Sequence, residues 1–139
     1  MKRNGILTLA LASALAAAAC THRTPIPTGG TADCAAQLAA GDLVITEVMA
    51  NPSGTDSGKE WFEVHNSLPS ALDLTGLEIV SEKDDSTGPM THIVDKQTIG
   101  PDAYLVFGGA APLPKPDYVD YDYGHDLGSL RNEDGQLVL

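Results

Sequence analysis

The sequence is poor in basic side chains. Lys and Arg together number 8 against 19 Asp and Glu, which gives the 139 residues a formal net charge of −11. Nucleic-acid binding begins with the neutralisation of phosphates, so this balance argues against nucleic acid as a direct partner. The same deficit disfavours electrostatic docking on an anionic membrane surface. The length leaves room for one domain and not comfortably for two.

Sequence signatures of catalytic and metal centres are also lacking. The G-x-S-x-G setting of a serine nucleophile is absent, and so is the D-x-D-x-D-G loop that binds calcium. The four histidines have no ligand spacing such as H-x-x-x-H; they are His22, His65, His92 and His125. The sequence therefore predicts no catalytic residue, no metal site and no cofactor.

The first 19 residues have the layout of a bacterial secretory signal. Lys2 and Arg3 form a positive start, and an uncharged run rich in Leu and Ala extends from Gly5 to Ala19. A membrane-spanning helix needs about 20 apolar residues, so this run favours a cleaved signal over a permanent anchor. Its removal leaves 6 basic residues against 19 acidic ones, a formal charge of −13.

Cys20 follows this run directly. Residues 15–20 (LAAAAC) resemble a lipobox, in which the cysteine thiol is acylated and becomes the mature N-terminus. Residues 21–32 (THRTPIPTGGTA) have the composition of an extended tether. We therefore predict a signal peptide at 1–19, and a lipidated Cys20 with a flexible linker at 20–40. The partner of Cys20 is then the lipid bilayer. Ordinary cleavage near Ala19, with secretion, is the alternative.

The residue after Cys20 bears on the membrane. It is Thr21, whereas an aspartate there marks inner-membrane retention in some bacteria. We therefore expect the outer membrane of the bacterial envelope.

The state of Cys34 depends on Cys20. If Cys20 is acylated, Cys34 is an odd thiol in an oxidising compartment. If Cys20 is not acylated, the two cysteines are able to pair across a short loop. A cysteine outside this chain is the third possible partner, and the sequence leaves all three open.

From Gly41 onward, short runs typical of strands alternate with turn residues. The alternation of apolar residues shifts by one position near Gly76, which indicates a bend or bulge within one run. Residues 34–40 are predicted to form a single helical turn. No strand alternates with a helix, so the sequence predicts an all-β sandwich or barrel. The predicted strands are Leu43–Met49, Trp61–His65, Leu72–Val80, Thr91–Val94, Tyr104–Phe107, Tyr118–Tyr123 and Gln136–Leu139.

An ordered set of motifs within residues 41–139 resembles the lamin tail domain in its bacterial form. The set is DLVITEVMANP (42–52), KEWFEVHN (59–66), LDLTGL (72–77), a Thr-His step (91–92), a turn into a YLV strand (103–107) and S-L-x-N (129–132). The resemblance implies an immunoglobulin-like β-sandwich. Since the sequence stops at Leu139 inside a predicted strand, we expect the last strand or strands of that sandwich to be missing.

Three glutamates on the best-matching strands are candidate site residues. Glu47, Glu60 and Glu63 are able to do acid–base work or bind a metal if they lie within reach of one another. The favoured interpretation is that they are solvent-facing strand residues or turn carboxylates that accept backbone N–H groups.

The stretch DYVDYDYGHD (117–126) is a second candidate. Asp120 and Asp122 share one face of a predicted strand, and their oxygens suit calcium. An ordinary half-buried strand with its aspartates in water is the favoured interpretation. Trp61 is predicted to be a core or inter-sheet residue, and a role on a binding face is the alternative.

The predicted function is a non-enzymatic, membrane-tethered interaction module outside the cytoplasm, with a protein or cell-surface ligand. The resemblance implies an alternative, because bacterial copies of the domain often accompany nucleases, phosphatases or other hydrolases. The chain would then be the targeting or substrate-binding part of a larger exported hydrolase. A calcium-dependent adhesin is a third hypothesis. The role in nuclear filaments is not carried over, because no heptads for a coiled-coil rod occur here.

Overall fold

A computed structural model describes residues 33–34, 38–54, 56, 58–83, 88–110 and 113–139. The predicted signal at 1–19, Cys20 and the predicted tether at 21–32 lie outside the described residues. All regular secondary structure within the described ranges is β. The strands are β1 (Asp33–Cys34), β2 (Leu43–Met49), β3 (Trp61–Asn66), β4 (Leu72–Asp73), β5 (Glu78–Lys83), β6 (Met90–Ile93), β7 (Thr98–Ile99), β8 (Tyr104–Gly108), β9 (Tyr121–Asp122) and β10 (Gly135–Val138).

The strands form three small sheets around one core. A four-stranded sheet has the order β2-β3-β8-β9, and two three-stranded sheets have the orders β10-β5-β6 and β1-β4-β7. Side chains from all three sheets meet in a single buried cluster, to which Phe62, Ile79 and Ile99 each contribute. This arrangement confirms the predicted all-β sandwich of the immunoglobulin-like class.

Strand β3 shows why these residues form a sheet with one buried face. Phe62 and Val64 are fully buried, whereas the residues that alternate with them are only half-buried. Phe62 stacks on Phe107 of β8, with the ring centroids 5.0 Å apart. Burial of each such side chain stabilises the fold by about 1.5–3 kcal/mol.

Trp61 does not lie in the core, and the prediction that it does is wrong. It stands on the opposite face of β3 from Phe62 and is half-buried there. The strict alternation along a strand is the physical reason, since adjacent residues point to opposite faces.

The predicted strand over Leu72–Val80 is two strands in different sheets. Gly76 separates them with a φ of 83°, a conformation that glycine adopts at little cost. Its N–H donates to the Val94 carbonyl at 2.8 Å, which fixes the turn. Strand β5 then continues to Lys83, into a segment predicted as loop.

Two other local predictions also change. In the stretch Tyr118–Tyr123 only Tyr121–Asp122 is in a strand, and the other residues are in turn, bend or irregular structure. Asp33–Cys34 is a short strand parallel to Leu72–Asp73 rather than part of a helical turn. Residues 38–40, the other described part of that predicted turn, are not helical either.

Candidate functional site

The four-stranded sheet has a second face, directed away from the core, which we call the outer face. Register places Met49, Trp61 and Gly108 in one row across the sheet, then Glu47, Glu63 and Val106, then Val44, His65 and Tyr104. Residues in one row have neighbouring side chains on the same face. The outer face is therefore built from these rows on β2, β3 and β8.

A β-bulge in β2 gathers polar groups at the centre of the outer face. The register shifts between Ile45 and Glu47, so that Thr46 is the extra residue and Glu47 lies opposite Glu63. The Thr46 hydroxyl donates to Glu63 Oε1 at 2.7 Å. The structure thus brings two of the three candidate glutamates together.

Among the described residues, no third ligating side chain is grouped with these two carboxylates. Across the part of the chain that the structure describes, no three His, Cys, Asp or Glu side chains are grouped as metal ligands would be. Two carboxylates alone supply few of the six to eight oxygens that calcium takes.

Rows with aromatic side chains lie on either side of the row that contains Glu47 and Glu63. Trp61 meets Tyr118 edge to face, with centroids 6.3 Å apart, and His65 stacks on Tyr104 at 4.5 Å. Tyr104 and Tyr118 are 58% and 54% exposed. His65 Nε2 also lies 3.0 Å from Asp102 Oδ1. The outer face therefore presents tyrosines to solvent with carboxylates between and beside them.

Basic side chains do not contribute to this sheet. Strands β2, β3, β8 and β9 contain no Lys or Arg. Lys115, from the loop before β9, is directed to the Val119 carbonyl. The carboxylates of these strands therefore have no Lys or Arg on the same strands to balance them, which favours positively charged partners.

Asp120 and Asp122 are held by backbone amides. The Val106 N–H donates to Asp120 Oδ2 at 2.8 Å. Asp122 Oδ1 accepts from the N–H groups of Ala110 at 3.1 Å and Gly124 at 2.8 Å. Through these hydrogen bonds the two carboxylates connect β9 and the adjacent loops to the end of β8, as carboxylates in turns commonly do. This geometry favours the structural interpretation over a calcium loop.

His92 is part of a polar cluster that spacing along the sequence did not indicate. Its Nδ1 lies 2.7 Å from Asp126 Oδ2, and its Nε2 lies 2.9 Å from the Tyr121 hydroxyl. The Asp95 N–H donates to that hydroxyl at 3.1 Å. Tyr121 and Asp126 lie 29 and 34 positions from His92 along the chain, so no local motif indicates that they are its partners. The cluster links β6 to β9.

Glu60 stands apart from the other two candidate glutamates. Only 6% of its surface is exposed, and the Ser129 hydroxyl donates to its Oε1 at 2.8 Å. Burial raises the pKa of Glu60, while the hydrogen bonds from Ser129 and from the Leu130 backbone oppose the rise.

Glu60 lies at one end of the sandwich, in a recess of about 300 Å³. We call it the Glu60 recess. It is lined by Glu60, Ser129, His125 and the glycines Gly58, Gly109, Gly124 and Gly128. Sequence reasoning missed this site because Glu60 and Ser129 are 69 residues apart.

Comparison with known proteins gives one match. The model of a family described as Lamin Tail Domain matches residues 36–139, well over half of the chain. No curated protein and no solved structure matches. Among the residues that the structure describes, no helix has the length and apolar character needed to cross a membrane.

Proposed function

The chain belongs to the lamin tail domain family, and from this premise we propose that it is a non-enzymatic interaction module outside the cytoplasm. In this proposal the outer face of the four-stranded sheet binds a basic protein partner. Acylated Cys20 tethers the module to the bacterial envelope, and the segment after it lets the domain stand off the membrane. The family itself is one of non-catalytic, immunoglobulin-like domains.

The observation that carries the proposal is the composition of the outer face. Trp, Tyr and Met are the residues enriched at protein interfaces, and here Trp61, Tyr104 and Tyr118 stand on a surface that also includes Met49. A sandwich keeps its shape without apolar rings on its solvent side. Their presence there supports a docking role.

The charge of the outer face selects the partner. Glu47 and Glu63 lie side by side with no Lys or Arg on the four strands to neutralise them. Lys and Arg side chains of a partner would pair with these carboxylates and lie over the faces of Trp61 or the tyrosines. Electrostatic complementarity of this kind speeds association and rejects acidic proteins.

Peptide titration tests the docking surface. Two 12-residue peptides of equal length, one of charge +4 and one of charge −4, are titrated into the protein at 150 mM salt, with calorimetry as the readout. We expect binding of the basic peptide alone. Glu47→Lys should weaken it at least tenfold, because it reverses an exposed charge at the centre of the outer face.

Glu78→Lys is the matched control. Glu78 is also exposed, but it lies on β5 in a different sheet. An equal loss of affinity in both variants would mean that net charge alone attracts the peptide, and the proposal would be wrong. Failure of the basic peptide to bind the unmodified protein would also overturn it.

The tether has its own test. Mass spectrometry of the mature protein should show a diacyl- or triacyl-modified Cys20 at the N-terminus. Cys20→Ala should move the protein from the membrane fraction to the soluble fraction or leave the precursor uncleaved. An unmodified mature N-terminus near residue 20 would refute lipidation and leave secretion as the route of export.

A further inference from the structure

Ser67, His65 and Asp102 form a hydrogen-bonded series beside the outer face. The Ser67 hydroxyl lies 3.3 Å from His65 Nδ1, and His65 Nε2 lies 3.0 Å from Asp102 Oδ1. Oδ1 of Asp102 accepts from the Nε2–H of His65, and in this tautomer Nδ1 accepts from the Ser67 hydroxyl. A nucleophile, a base and a carboxylate that orients the base occur in this order in serine hydrolases on unrelated folds.

The imidazole of His65 is held in one orientation. His65 lies opposite Tyr104 in the register of β3 and β8, and the two rings stack with centroids 4.5 Å apart and planes inclined by 27°. Only 18% of the His65 side chain is exposed. When the imidazole takes a proton, the face of Tyr104 and the carboxylate of Asp102 both stabilise the cation that forms. The ring is therefore placed to act as a base toward Ser67.

The serine and the aspartate lie on two loops that buried Asn66 joins. The side-chain amide of Asn66 donates to the carbonyls of Ser70 and Gly100 at 2.9 Å and 2.8 Å, and the residue has no exposed surface. The Asp102 N–H also donates to the Leu68 carbonyl at 3.2 Å. The loop after β3 and the turn before β8 are therefore fixed to each other, and so are the backbone positions of the series.

Asp102 keeps a side chain where the backbone favours glycine. Its φ is 51°, and it is the one residue other than glycine with a positive φ in the described part of the chain. Glycine adopts this conformation readily, whereas other residues are strained there, aspartate and asparagine less than most. Strained residues of this kind cluster at functional sites. The backbone of Asp102 thus supports a functional role independently of the hydrogen bonds.

We propose that Ser67 is a nucleophile that takes an acyl group from neutral activated esters. Its hydroxyl oxygen attacks the acyl carbon while His65 Nδ1 takes the hydroxyl proton, and the bond from the acyl carbon to the leaving oxygen then breaks. The leaving alcohol departs with that proton, and a new ester bond joins the acyl group to Ser67. Ser67 is exposed, so the acyl donor reaches it from solvent. The adjacent carboxylate of Asp102 disfavours anionic donors.

The acyl group should remain on Ser67. The Ser67 N–H donates to the Asp42 carbonyl at 2.8 Å, and the Leu68 N–H donates to Asn66 Oδ1 at 3.1 Å. Neither amide is therefore free to act as an oxyanion donor of the kind that hydrolases use. An activated ester reacts without such help more readily than the serine ester that it leaves behind. The site is thus one of covalent modification, which goes beyond the proposed binding role and leaves the module non-catalytic.

The neutral aryl ester 4-nitrophenyl acetate is the probe. We expect a burst of 4-nitrophenolate about equal in molar amount to the protein, and peptide mass spectrometry should find the acetyl group on Ser67. Ser53 is the internal reference, because it is also exposed but its hydroxyl is not bonded to any histidine that the structure describes. Ser53 should be acetylated at least about tenfold more slowly, since it lacks a general base.

Three variants locate the reaction. Ser67→Ala should abolish the burst, and Ser53→Ala should leave its rate unchanged. His65→Phe keeps a ring that stacks on Tyr104 but removes both nitrogens, so acetylation of Ser67 should slow at least about tenfold. Thermal unfolding of each variant shows that it is folded before the ester is added.

Two further variants test Asp102 as a positioning residue. Asp102→Asn tolerates the positive φ but removes the charge that stabilises protonated His65. The rate should fall about fivefold, the effect of an exposed ion pair, because the Asp102 side chain is 89% exposed. Asp102→Glu restores the carboxylate and should recover part of the rate. A purely structural role would not distinguish the two variants in this way.

Three results would overturn the proposal. The first is the absence of an acetyl group on Ser67 in the unmodified protein. The second is acetylation of Ser67 and Ser53 at equal rates, which would mean that exposure alone decides the reaction. The third is an unchanged rate in a folded His65→Phe, because the imidazole would then take no part in it.

Discussion

His92 on β6 and Tyr121 on β9 join the two facing sheets, with Nε2 of the histidine 2.9 Å from the tyrosine hydroxyl. Oδ2 of Asp126 accepts from the Nδ1–H of His92, and in this tautomer Nε2 is the acceptor. The Tyr121 hydroxyl then donates to His92 while it accepts from the Asp95 N–H. Each member of this chain has a defined donor or acceptor role, which fixes how the sheets face each other.

Tyr121→Phe tests this connection between the sheets. The change removes the hydroxyl and leaves both His92 Nε2 and the Asp95 N–H without their partner. We expect the free energy of unfolding to fall by about 1–2 kcal/mol, measured by urea denaturation. Tyr104→Phe is the control, since Tyr104 is exposed and its ring rather than its hydroxyl contacts His65. An equal loss in both variants would contradict the assigned role.

Gly108 allows Val119 to cover the end of β8. A Cβ at position 108 would lie 2.7 Å and 2.9 Å from the two Val119 methyl carbons, closer than real contacts. Gly108→Ala should therefore destabilise the fold by roughly 1–3 kcal/mol. Gly100→Ala should have little effect, because the nearest atom to its Cβ is that of Ala103 at 3.6 Å.

A double variant tests whether the predicted clash is with Val119. Val119→Ala alone removes buried methyl groups and should also destabilise the protein. If the two side chains compete for one space, the combined variant should lose less stability than the sum of the single losses. Simple additivity would mean that Gly108 is required for another reason.

Phe62 and Trp61 should differ sharply in their contribution to stability. Phe62→Ala empties a fully buried site and should cost about 3–5 kcal/mol. Trp61→Ala removes a half-buried ring from the outer face and should cost about 1–2 kcal/mol. Denaturant unfolding measures both. A larger loss for Trp61 would place it in the core after all.

Glu60 should make stability depend on pH in the direction opposite to most carboxylates. Its pKa is raised by burial above the ordinary value of 4.5, so the folded protein binds the proton more tightly than the unfolded chain. The contribution of Glu60 is therefore most favourable at low pH, and stability is lost as the pH rises from 4.5 through the raised pKa. The free energy of unfolding of Glu60→Gln minus that of the unmodified protein should grow over this window.

Asp73 provides the contrasting pH control. Hydrogen bonds from Thr75 lower its pKa below the ordinary 3.8, so its contribution is present above that value and is lost as the pH falls. Asp73→Ala should thus change stability near neutral pH and have less effect in acid. For each variant, the free energy of unfolding minus that of the unmodified protein is followed with pH. If this difference changed in the same direction for Glu60→Gln and Asp73→Ala, the assigned pKa shifts would be wrong.

Most of the strands could be predicted from local pattern. The alternation of Phe62 and Val64 with polar neighbours, and the turn letters after Met49, placed β2 and β3 within a residue of their observed ends. Backbone geometry explains this success, because side chains alternate at every residue of a strand and turns require particular residues. The same alternation, applied strictly, would have placed Trp61 on the outer face.

The contacts of the candidate site residues could not be predicted from local sequence pattern. Glu47 and Glu63 lie opposite each other because their strands are consecutive and antiparallel. Glu60 was grouped with them, yet its partner is Ser129 at the far end of the chain. Contacts of this kind depend on which loops meet at the end of the sandwich, and local periodicity contains no information about that.

The sequence by itself thus determined the β class and the acidic composition, since these follow from residue content and local geometry. Only the tertiary structure decided that β4 and β5 belong to different sheets, that His92 lies against Tyr121, and that Glu60 faces a recess instead of the outer face. Those relationships arise from burial of a shared core, which brings together residues that are distant along the chain and have no local signal for each other.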